Sequence, residues 1–189
     1  MSDQAQPPKA QIIHAPSTEV QRAGTKSIFL AGTTTSISSS SPEQEQEQDW
    51  RTVLTSRLSH HANLTIFNPH RPDWSIAIPP GSESPSFPPF NEQVTWELSK
   101  QETCDLIVVY FHPSTLAPIS LLEFGLAAAS ARGEPEEKKK KKVVVAVAPR
   151  DYAKRANVQM VCLRYGCVFL EDVKDVPGVV EMKLGLSLE

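Results

Sequence analysis

The sequence predicts an α/β fold: one parallel sheet of about five strands with helices on both faces. Three observations lead there. Short runs that are apolar throughout recur at SIFLA (27–31), LTIF (64–67), DLIVVYF (105–111), VVVAVA (143–148) and CVFL (167–170), the pattern of strands buried on both faces. Segments of helical period lie between them, which is the alternation of a parallel sheet with crossover helices. The 189 residues are 40% hydrophobic and 22% charged, enough for a single core without covalent staples.

Taken in order, residues 1–25 form a polar arm with three prolines, expected to be disordered or loosely packed. The domain proper spans 26–189, and its first strand ends at Gly32. SISSSSPEQEQEQ (36–48) is low-complexity and polar, a solvated insertion. Residues 49–60 set Trp50, Val53, Leu54 and Leu58 at helical spacing behind Asp49, a good N-cap. After the second strand comes a proline-rich stretch, 69–89, with seven prolines. So many fixed φ angles and missing N–H donors exclude a long helix or a central strand. With Trp74, Ile76, Ile78 and Phe87 to pack, this loop reads as a lid or site wall. Residues 90–103 and 119–131 are helical, the second rich in alanine, and a further helix is expected near 151–163. GEPEEKKKKK (133–142) sets five lysines beside three acids and reads as a solvated turn.

Composition narrows the function classes. Prolines outnumber glycines 16 to 8, and no G-x-G-x-x-G or P-loop motif is present, so a standard dinucleotide or P-loop site is disfavoured. Three cysteines, Cys104, Cys162 and Cys167, cannot close a disulfide framework, which suits a reducing, cytoplasmic setting. No apolar run approaches the roughly 20 residues of a membrane span, and MSDQAQPPKAQ has no signal-peptide core. A net charge of −3 gives no pull toward nucleic acid. No His, Cys, Asp or Glu cluster has metal-ligand spacing, and His60 and His61, at a helix end, are expected in solvent. Neither a metal nor a cofactor is expected.

A doubly covered parallel sheet binds ligands beyond the carboxyl ends of its strands, so the residues after Ala31, Phe67, Phe111 and Ala148 matter most. AGTTTS after the first strand suits either a phosphate or sugar contact or an ordinary turn. FNPHRPDW gathers Asn68, Pro69, His70, Arg71 and Asp73, again as ligand contacts or as turn residues. Glu123, in PISLLEFGLAAA, is a carboxylate among apolar neighbours near a helix start, either paired for structure or used in chemistry. Glu97, in VTWELSKQ, is a second carboxylate on the preceding helix. Such a pair suits attack at an anomeric carbon.

The ordered runs SIFLAGTT, DW, FNPHRPDW, FNEQVTWELSKQETCDLIVVYFHP and PISLLEFGLA resemble the nucleoside 2-deoxyribosyltransferase family, most closely its divergent nucleoside 2-deoxyribosyltransferase-like branch, over residues 26–170. The resemblance implies a flavodoxin-like (Rossmann-like) three-layer sandwich that cleaves the N-glycosidic bond of nucleosides and passes deoxyribose to another nucleobase. By that likeness Glu123 matches the nucleophile and Glu97 the carboxylate that protonates the base, on which Trp74 or Trp96 is expected to stack. Phe29 falls where many members carry a tyrosine, and Gly32 and Thr33 lie beside it. Asn157 matches a segment that a neighbouring subunit adds to the site, which implies a homo-oligomer with a shared active site. The best-known branch has an aspartate about six residues before the nucleophile; STLAPIS has none here, which leaves the sugar to Ser114 or Ser120. Alternatives are a deoxynucleoside monophosphate N-hydrolase, whose phosphate the threonines 33–35 would bind, and a non-catalytic nucleotide sensor.

Overall fold

The computed structural model describes residues 9–33, 49–132 and 142–186. The 36–48 insertion and all of the charged block except Lys142 lie outside them.

Among the described residues, six strands form one sheet: β1 (Gln11–His14), β2 (Lys26–Gly32), β3 (Leu64–Asn68), β4 (Leu106–Tyr110), β5 (Val143–Val147) and β6 (Val168–Leu170). Their order is β1-β3-β2-β4-β5-β6 and every pairing is parallel. The helices are α1 (Trp50–Leu58), the short α2 (Trp74–Ala77), α3 (Pro88–Thr103), α4 (Pro118–Arg132), α5 (Arg155–Tyr165) and α6 (Val176–Leu184). The α/β expectation therefore holds, with one strand more than the five foreseen.

The extra strand is β1, inside the arm that its polar sequence marked as loosely packed. Ile13 is fully buried, and the strand extends the sheet along β3 from Gln11↔Thr65 to His14↔Asn68. QIIH has only two apolar residues, too few to signal a strand without the β3 edge beside it. The last helix, α6, was not foreseen either. Pro177 sits in its first turn, where a missing N–H costs nothing.

Alternation along each strand builds two cores. Phe29, Ala31, Phe67, Ile107, Val109 and Ala146 face α3, α4 and α5. Ile28, Leu30, Ile66, Val108 and Val145 face α1 and α6, through Trp50, Leu54, Leu58, Val176 and Val180. The proline-rich stretch is mostly loop, as expected, broken by α2. Its last two prolines start α3, and Ile78 is buried while Ile76 stands exposed.

The chain leaves β2 for β3 on one side of the sheet and returns to β4 on the other. The reversal opens a crevice at the carboxyl ends of β2 and β4.

Candidate active site

A cleft of about 590 Å³ occupies that reversal. Its floor is the end of β2. Gly32 has φ +118°, and a Cβ there would collide with the backbone of Tyr110 on β4, so only glycine fits. Thr33 follows with its hydroxyl engaged: Oγ1 donates to Tyr110 O at 3.2 Å and accepts from His112 N at 2.7 Å. Thr33 thus lines the cleft while its hydroxyl joins β2 to the strand beside it.

The wall after β3 is made by Pro69, His70, Arg71 and Trp74. Asn68 directs the chain into it: its Oδ1 accepts from His70 N at 3.0 Å, an Asx turn. Trp74 packs edge-on against Phe90, with centroids 6.5 Å apart. Arg71 pairs with the exposed Asp73 at 2.9 Å. Burial is the main cause lowering the pKa of His70.

The third side carries the carboxylates. Gln93, Glu97 and Gln101 fall four residues apart on α3 and so lie along one stripe of that helix. Fully buried Gln93 donates from Nε2 to Glu97 Oε1 at 2.7 Å and to Pro69 O at 3.0 Å. Gln101, also buried, donates from Nε2 to Glu123 Oε1 at 2.6 Å. Each glutamate is thus anchored by one amide, and both line the cleft. Burial pushes the Glu97 carboxyl up to about 7, opposed by the Gln93 hydrogen bond, assisted by the negative field of Glu123 and opposed by Arg51. Burial also raises Glu123, against the Gln101 hydrogen bond and the field of Arg51.

The loop into α4 and the first turn of that helix close the cleft with Thr115, Ala117 and Ser120. Ala117 is buried at φ +49°, a left-handed conformation unfavourable for alanine. Thr115 Oγ1 accepts from its N–H at 3.0 Å, and Tyr152 Oη donates to the neighbouring Leu116 O at 3.0 Å. Ser114 is exposed and its Oγ bonds His112 Nδ1 at 2.6 Å.

Of the residues singled out from the sequence, Phe29, Gly32, Thr33, Pro69, Trp74, Glu97, Ser120 and Glu123 meet at this cleft. Asn68 sits just beneath it, holding the turn. Trp96 lies in the core, with its ring against Phe29 and Phe67 and its Nε1 donating to Ser17 O at 3.0 Å. Asn157 is exposed on α5, away from the lining residues. Among the described residues, none following β5 lines the cleft.

Sequence reasoning missed Arg51, Gln93 and Gln101. The i, i+4, i+8 spacing of Gln93, Glu97 and Gln101 was the available signal for the last two. It also missed His61, which is buried, with Nε2 3.1 Å from Glu181 Oε1 and its ring 3.9 Å from that of His60. The ligand atoms of His60, His61 and Glu181 lie within 4.8 Å of one another, and this is the cluster among the described residues with metal-ligand geometry. It stands at the amino end of β3, remote in the fold from the cleft.

The family model described as nucleoside 2-deoxyribosyltransferase like matches residues 25–151, a span that includes both glutamates and every cleft-forming segment. No curated protein matches the chain.

Proposed function

Because the chain belongs to the nucleoside 2-deoxyribosyltransferase-like family, we propose that it cleaves the N-glycosidic bond of a deoxynucleoside at this cleft and transfers the sugar to a second base. The observation that carries the reading is the pair of anchored glutamates, Glu97 and Glu123, on the wall of one cleft at the strand ends.

A carboxylate oxygen of Glu123 attacks C1′ as the C1′–N bond breaks, and the bonding pair goes to the base. Glu97, held near neutrality by burial, gives its proton to a ring nitrogen of the departing base, as a general acid with pKa near the working pH does. The sugar then rests as an ester on Glu123. A second base attacks C1′, returns a proton to Glu97 and frees the Glu123 carboxylate. Trp74 supplies a surface for base stacking, and Ser120, buried in the first turn of α4, contacts the sugar. Enclosure by the wall after β3 favours the base over water as acceptor.

Hydrolysis of a deoxynucleoside monophosphate is the second reading. Arg71 on the cleft wall favours it as a cationic contact for a phosphate, with His70 beside it as a hydrogen-bonding partner. The thiols Cys104, Cys162 and Cys167 are free, which supports a cytoplasmic setting. No helix among the described residues is long and apolar enough to cross a membrane.

A second copy of the chain is the proposed partner. Ile119, Leu122 and Leu126 stand exposed along α4, and Leu116 before it and Met160 and Leu163 of α5 are exposed as well. An apolar surface of that kind beside the cleft suits an interface.

The test is incubation of the purified protein with a deoxynucleoside and a second free base, read by chromatography. Exchange is expected, with a loss of about a thousandfold or more in Glu123→Ala. Release of free base without exchange, faster from monophosphates, supports the hydrolase. Ligand-induced thermal stabilisation with no turnover identifies a binding module and removes the enzyme reading.

A further inference from the structure

Arg51 is 2% exposed, and a guanidinium at that depth is costly unless it is paired. Its hydrogen bonds go to backbone: Nε donates to Leu30 O at 3.0 Å, Nη2 to Gly32 O at 2.5 Å and Nη1 to Thr33 O at 3.2 Å. The cation also lies 4.7 Å from the centroid of the Trp50 ring. Three carbonyls fix its position on the cleft, which Arg51 lines together with Glu97 and Glu123. The groups that act on that charge come from four segments: Asp49 at the start of α1, 3.6 Å from Nη1; Glu97 on α3; Glu123 on α4; and His70 after β3.

We propose that Arg51 is a positioning residue of the cleft, in which one guanidinium clamps the turn at Leu30, Gly32 and Thr33 and supplies the fixed positive charge of the Glu97–Glu123 pair. The proposal rests on the glycosyl-transfer reading for its catalytic consequence. Its electrostatic part does not need that reading. The planar fork suits both tasks, because its donors are spread over fixed directions while the charge stays on one centre. Lysine keeps the charge but cannot span three carbonyls.

Burial lowers the Arg51 pKa to about 10, against the raising fields of Asp49, Glu97 and Glu123, so it stays charged at neutral pH. The same cation opposes the upward shift of both glutamates. Without it, Glu123 would take up a proton more readily and lose nucleophilicity.

The test is carboxyl 13C NMR titration of the full chain, with Glu97→Gln and Glu123→Gln used to assign the two signals. In Arg51→Gln both midpoints are expected to rise by about one pH unit or more. In Arg51→Lys they should stay near wild type while kcat for base release falls about tenfold or more at little-changed KM. Unmoved midpoints in Arg51→Gln overturn the electrostatic role, and wild-type kcat in Arg51→Lys overturns the clamp. Should circular dichroism show Arg51→Gln unfolded, Asp49→Asn takes its place. Removing the competing carboxylate then lowers both midpoints, and a rise or no movement overturns the proposal. A wild-type protein that releases no base sinks the glycosyl-transfer reading instead, and the titration still decides whether Arg51 sets the field.

Discussion

Ala117 holds a backbone conformation that its own side chain disfavours, at φ +49° on the cleft wall. Thr115 Oγ1 and the Tyr152 hydroxyl hold it there, and the strain sits in the loop that aims Ser120 and Glu123. A β-branched residue tolerates this region far worse than asparagine does. Ala117→Val should therefore cost about 2 kcal/mol in urea unfolding, and Ala117→Asn less than about 1 kcal/mol. Equal losses would show that space, not backbone strain, governs the position. At the same scale, Glu123 was legible as an anomaly because its neighbours Leu121, Leu122, Phe124 and Gly125 are apolar. Arg51 was not legible. It reads as an ordinary polar position of α1, and only the carbonyls of β2 above it reveal its burial.

Among the elements, α3 and α4 do most to define the site. Helix α3 begins at two prolines and places Gln93, Glu97 and Gln101 on one stripe; Lys142 then donates to the Gln101 and Glu102 carbonyls at its end, where a cation also suits the helix dipole. Helix α4 has two faces: Phe124, Ala127, Ala128 and Ala131 are buried in the core, while Ile119, Leu122 and Leu126 are exposed. That apolar outer face is the surface proposed to meet a second copy of the chain. Replacing Leu122 and Leu126 by glutamate should shift the protein from oligomer to monomer in sedimentation, with the fold retained by circular dichroism. A wild-type protein that already sediments as a monomer sinks the interface. The strands were readable because fully apolar runs have few other uses. β1 was hidden because its stability comes from pairing with β3, and α6 because PG near its start reads as a break.

For the molecule as a whole, the half-buried glutamates set a cost that depends on pH. The folded protein holds a proton on Glu97 up to about 7, whereas an unperturbed glutamate releases it near 4.5. Between those values the folded state binds more protons than the unfolded one, so stability falls as pH rises. The contribution is complete below about 4.5 and lost above about 7, and Glu123 acts in the same direction. For Glu97 this amounts to roughly 3 kcal/mol. Glu97→Gln should therefore melt several degrees above wild type at pH 8 and match it near pH 4, while base release is lost. Parallel Tm profiles would remove Glu97 as a buried acid. In wild type, base release should decline as pH rises through about 7, when Glu97 gives up its proton.

By itself the sequence determined the parallel α/β architecture, five of the six strands among the described residues, and the edge of the sheet where a cleft lined by two glutamates opens. Those are written in local pattern: apolar runs, helical period, and carboxylates out of place among their neighbours. The tertiary structure decided which polar residues share the cleft. It placed Trp74 on the wall and Trp96 in the core, tied up the Thr33 hydroxyl, buried His61, and set Arg51 among residues 18 to 72 positions distant in the chain. The physical reason is that burial and electrostatic coupling are properties of neighbours in space, and those neighbours exist only once the strand order has brought β2 and β4 together.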